Sequence, residues 1–154
     1  MAKFLLNYVN KLSIDTSGGQ ELADKEAATW ALVSAGITTI TPSAAETADT
    51  SAYWDGEGQS ETDVTGKNVT FAIAGHRKYG DEAQDYVASK FFDIGDKLRT
   101  LAKWVDGEGN EYVCKATLTA IVPFGGNANA KETFSFTLTF NGLPEVTPAA
   151  PVTP

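Results

Sequence analysis

Residues 132–140, ETFSFTLTF, set Phe134, Phe136, Leu138 and Phe140 against Thr133, Ser135, Thr137 and Thr139. That strict period of two predicts a strand with one buried and one wet face. Two further strands are expected at 97–105 (KLRTLAKWV) and 111–122 (EYVCKATLTAIV), with Trp104 and Leu118 as core residues. Segment 60–76 alternates Val69, Phe71 and Ile73 with Thr70 and Ala72, and Gly66 suggests a bulge or bend within it. Segment 29–43 is rich in β-branched residues and reads as a strand interrupted at Gly36, with Trp30 in the core.

One segment has a helical period. In DEAQDYVASKFFDIG, Ala83, Tyr86, Val87, Phe91 and Ile94 fall on one stripe, which predicts a helix over 81–94 that buries Phe91. Asp81 and Glu82 suit the positive end of its dipole, and Gly95 suits a left-handed stop. The remaining stretches carry weaker patterns. Residues 3–14 alternate loosely and suit a strand or an arm, and 17–28 read as a polar loop. Between 41 and 60 only the Tyr53-Trp54 pair breaks a run of small and polar residues, so a long loop is expected there. Residues 145–154, EVTPAAPVTP, have too little apolar content to pack and are expected to form a flexible tail, leaving 1–144 as one domain.

A chain of 154 residues can bury a real core without a metal or a disulfide. Its single cysteine, Cys114, excludes an internal disulfide and a cysteine-built zinc site. The apolar run after Met1 is too short and interrupted for a signal peptide or a membrane span, so no membrane anchoring is expected. A net charge of −8 opposes tight binding to nucleic acid, since phosphate affinity comes largely from Lys and Arg.

Asp-Gly-Glu-Gly occurs twice, at 55–58 and 106–109, each time just after a tryptophan. Between two strands this is turn chemistry, because Asp and Gly tolerate positive φ. Calcium is the rival reading, but an EF-hand loop needs a bidentate Glu at its twelfth place, where Gly66 or Thr117 stands. Catalysis would have to use His76, the only histidine, with Cys114 placed mid-strand as a buried thiol. No phosphate loop precedes a helix, and PFGGNANAKE at 123–132 reads as a hairpin loop. Neither a catalytic constellation nor a cofactor is expected.

The order of parts resembles the major tail proteins, or tail tube proteins, of long flexible-tailed bacteriophages. The resemblance runs from about residue 29 to Pro144. It is carried by YWDGEGQSETDVTGKNVTFAIAG, by the single helix, and by the closing strand, small-residue loop and strand that end in NGLPE. It implies a β-sandwich or barrel-like fold flanked by one helix, with six copies in a ring and rings stacked into a tube that conducts DNA. It implies location in the virion tail, assembled in the host cytoplasm. Its implied partners are other copies of the chain, the tape measure protein, the tail terminator and distal tail or baseplate proteins, with DNA in transient passage. The loop at 41–60, together with the N-terminal segment, is then expected to reach the next ring, with the contact made through Tyr53, Trp54 and Asp55. The related tube protein of bacterial contractile secretion systems shares the general ring idea. The main alternative is a monomeric β-sandwich module that binds carbohydrate or a receptor through Tyr53, Trp54 and the two turns.

Overall fold

The computed structural model describes residues 2–149. Its strands are β1 Lys11–Asp15, β2 Trp30–Leu32, β3 Ile37–Ala52, β4 Ser60–His76, β5 Arg99–Val105, β6 Glu111–Val122 and β7 Thr133–Thr147, with one helix, α1 Glu82–Ser89, between β4 and β5. The strands form a single antiparallel sheet in the order β2-β1-β5-β6-β7-β4-β3. The mainly β, one-helix fold expected from the sequence is the one observed, in its barrel-like form. Trp104 on β5 and Phe71 on β4 lie three strand steps apart, about 14 Å in a flat sheet. Their ring centroids are 6.0 Å apart, so the sheet curls strongly and brings β5 toward β4, with β2 and β3 remaining its edges.

The concave face holds the core: Leu12 and Ile14 from β1, Phe71 and Ile73 from β4, Cys114, Ala116 and Leu118 from β6, and the four alternating apolar residues of β7. Phe134, Leu138 and Leu118 have no exposed surface, and Phe136 and Phe71 have almost none. Trp104 is half-buried against this cluster and stacks on Tyr112 at 4.7 Å. Helix α1 adds Ala83 and Val87. Its N-terminus is capped by the Asp81 carboxylate, which accepts from the Gln84 amide. Gln84 itself is buried and bolts the helix to the sheet: its Nε2 donates to the Ala35 and His76 carbonyls, and its Oε1 accepts from the Lys78 amide.

Several expectations are corrected. Residues 41–60 are not a loop. Most of them belong to β3, paired with β4 from Ile37↔Gly75 to Ala52↔Ser60. The alternation that betrays a strand needs a core on one side, and this stretch has none, so its extended backbone left no apolar pattern. The helix stops at Ser89, short of Gly95, which has φ +67 and opens a separate 3-10 turn. The rest of the expected stripe therefore leaves the core: Phe91 is 46% exposed and Ile94 82%. Trp30 is also outside the core, half-buried on the convex side with the Lys103 ammonium 4.7 Å above its ring. The expected tail begins as structure: β7 runs through Pro144 to Thr147, and the Ala149 amide donates to Asn110 Oδ1. Residues 150–154 lie outside those described.

Candidate assembly surface: the projecting ribbon and its base

β4 pairs with β7 only over Thr70–His76, so the part of β4 from Ser60 to Val69 has β3 as its sole neighbour. With Ala44–Ala52 it forms a two-stranded ribbon that leaves the body of the sheet. At ~3.3 Å per residue the ribbon projects about 30 Å. Among the described residues neither face packs against anything: nearly every side chain of Ala44–Ala52 and Ser60–Val69 is exposed. A lone two-stranded ribbon in water is marginal. What holds this one is backbone pairing with a few cross-strand contacts, Thr50 to Thr62 at 3.1 Å and Lys67 to Glu46 at 3.7 Å. Opposite Gly66 the register slips, giving the expected bulge.

The first Asp-Gly-Glu-Gly closes this ribbon. A 3-10 turn at Trp54–Gly56 leads to Glu57 and Gly58, both at positive φ. The turn leaves Trp54 fully solvated at 101% relative exposure and Tyr53 at 50%. Asp55 is exposed beside them. The structure thus brings Tyr53, Trp54 and Asp55 together at the tip of a projection. The ribbon is also acidic: Glu46, Asp49, Asp55, Glu57, Glu61 and Asp63 face one cation, Lys67. Asp49 and Asp63 stand directly opposite each other in the register, an arrangement that costs stability when no positive group answers it.

At the ribbon's base lies an apolar cleft of about 280 Å³, lined by Leu12, Ile40, Pro42, Phe71 and Trp104 together with Asn7 and Asn10. Pro42 is accommodated because β3 is an edge strand, where a missing amide hydrogen costs little. Beside the cleft runs residues 2–10, which carry exposed Phe4, Leu6 and Tyr8. Lys3 and Lys11 are the only charged side chains before Asp15. This segment is seated on the second turn: a Cβ at Gly107 would come within 2.6 Å of Leu5 Cδ1, so glycine makes the room. The loose alternation of residues 3–14 suits a strand or an arm, and Lys11–Asp15 is the strand; the cleft, by contrast, joins residues far apart in sequence.

The second Asp-Gly-Glu-Gly is a turn whose aspartate is fully engaged. Asp106 Oδ1 accepts from the Glu108 and Asn110 amides, and Oδ2 accepts from Asn110 Nδ2 and the Tyr112 hydroxyl. Hydrogen bonds from Asn110, Glu108 and Tyr112 hold its carboxyl below the ordinary value despite partial desolvation. Among the described residues no group of three or more His, Cys, Asp or Glu is placed to hold a metal. His76 is exposed at the end of β4, while Cys114 is buried in β6 with its thiol pushed up by burial and donating weakly toward the Asn141 and Gly142 carbonyls.

Two solved structures share this fold. One comes from the tail of an empty gene transfer agent particle with C6 symmetry; it is 16% identical, with a TM-score of 0.69 over 94% of this chain and 100% of that one. The other comes from the virion of a native gene transfer agent particle; it is 12% identical, with a TM-score of 0.67 over 94% of this chain and 100% of that one. No family model and no curated protein matches the chain. The fold is therefore one found in chains of gene transfer agent particles, over 94% of this chain and the whole of each of those.

Proposed function

We propose that the chain is the structural subunit of a tail tube, forming hexameric rings that stack into the conduit for DNA. The observation that carries this is the coreless ribbon ending in an exposed tryptophan. It is poorly stabilised alone and well shaped to lie against another copy. The C6 symmetry of the tail that contains a chain of the same fold supports a ring of six. The excess of 20 acidic over 12 basic residues suits a channel through which DNA passes without sticking. In this reading the protein works by assembly and carries out no reaction. It resides in the virion tail, is assembled in the host cytoplasm, and meets the tape measure protein, the tail terminator and the distal tail or baseplate proteins.

The test is negative-stain electron microscopy with light scattering at high protein concentration. Hollow tubes or six-fold rings support the proposal. The rival, a monomeric module that grips carbohydrate or a receptor with Tyr53 and Trp54, predicts saturable glycan binding and a monomer at every concentration.

A further inference from the structure

We infer that the ribbon tip of one copy docks in the basal cleft of a second copy, with Trp54 seated among Leu12, Ile40, Pro42, Phe71 and Trp104. The inference rests on the assembly reading and adds where the tip goes. Trp54 is the most exposed tryptophan, and the cleft is an apolar recess of about 280 Å³, large enough to admit an indole, whose lining includes two asparagines. One chain cannot join its own two halves. The run from Pro42 to Trp54 is a continuously paired strand and turn, and it holds tip and cleft about 40 Å apart.

Charge points the same way. The ribbon carries six carboxylates against Lys67, including the opposed Asp49 and Asp63. The segment beside the cleft carries Lys3 and Lys11 and no acid before Asp15, while the turn beneath it holds Asp106, whose carboxylate is already engaged by Asn110 and Tyr112, and Glu108. A knob at one end and a hole at the other make a head-to-tail contact, which propagates instead of closing on itself as a two-fold dimer does. Trp54→Ala is expected to raise the concentration needed for assembly on the order of 30-fold or more, the loss typical of a central aromatic anchor.

The contact is tested directly by mixing two single-cysteine variants, Asp55→Cys and Asn7→Cys, under assembly conditions and adding a short bis-maleimide linker; the native Cys114 is buried. Asp55→Cys with Asn127→Cys, in the distant loop, is the control. A cross-linked dimer from the first pair and none from the control supports the docking. Assemblies without the first cross-link, or with both equally, overturn it and leave the assembly reading standing. A parent protein that stays monomeric overturns both. Where a cysteine variant blocks assembly, the emission difference between the parent and Trp54→Phe decides. A shift to shorter wavelength with shielding from iodide on assembly supports a seated indole, and an unshifted, quenchable Trp54 overturns it.

Discussion

Asp15 gives a sharp test of how the body of the fold is held. It has no exposed surface, yet its carboxylate is ionised because four donors converge on it. Oδ1 accepts from the Ser17 amide at 2.8 Å, the Ser17 hydroxyl at 2.5 Å and the Thr29 amide at 3.0 Å, and Oδ2 accepts from the Gly19 amide at 3.0 Å. Burial pushes its pKa up, but the bonds from Ser17, Thr29 and Gly19 outweigh it and the net shift is downward. Asp15→Asn replaces one accepting oxygen with an amide that faces donors. Losing charge-assisted bonds in a buried site costs about 2–3 kcal/mol, or roughly 4–10 °C in Tm for a domain of this size.

The pH dependence follows in sign. A carboxylate whose folded pKa lies below its unfolded value of about 3.9 stabilises fully above that value, and the contribution disappears as pH falls through the folded pKa. Urea unfolding of parent and variant, followed by tryptophan fluorescence, should therefore show a wide gap at neutral pH that narrows in acid below about pH 4. A gap that is absent, or unchanged by acid, would refute the reasoning.

Other perturbations separate the core from its surroundings. Phe136→Ala should cost about 3–5 kcal/mol in thermal or urea unfolding, whereas Phe91→Ala should cost under about 1 kcal/mol because Phe91 is 46% exposed. Gly75→Ala should prevent folding: the new Cβ would lie 2.2 Å from the Gly36 carbonyl oxygen and 2.7 Å from Ile37 Cα, backbone that cannot swing aside. Circular dichroism of the expressed variant checks this. Gly107→Ala meets only side chains of the N-terminal segment, Leu5 and Val9, so it should loosen residues 2–10 and speed their proteolysis while the Tm falls little. Asp106→Ala should lower the Tm, because the turn loses its side-chain acceptor, and neither calcium nor a chelator should alter the Tm of parent or variant, since the carboxylate's acceptor sites are already filled.

The body of the fold was legible wherever a strand has one dry face. The Phe134–Phe140 alternation and the 60–76 strand appear in the structure with their expected faces or bounds. The outer half of β3 was illegible for the complementary reason: a ribbon wet on both sides has no apolar period. Its remaining clues were Thr at 47 and 50, a partner strand of matching length, and the positive-φ chemistry of Asp-Gly-Glu-Gly between them. Side-chain type likewise did not fix depth. Phe91 continues the helical stripe in sequence, but the helix ends at Ser89 and the chain turns the ring outward. Trp30 lies in a strand, but on the convex face beneath Lys103. The cleft at the ribbon base needed the sheet's curl, which brings β1, β4 and β5 together and which no local pattern encodes.

The paired ribbon from β3 to β4 also acts as a ruler. Its strands advance by ~3.3 Å per residue, and side chains change faces at every step. Inserting two residues in each strand should move Trp54 outward by about 6.6 Å with its face preserved, while inserting one should turn the indole to the opposite side. Where copies stack through this ribbon, their spacing is graduated in pairs of residues, and lengths that differ by one do not fit.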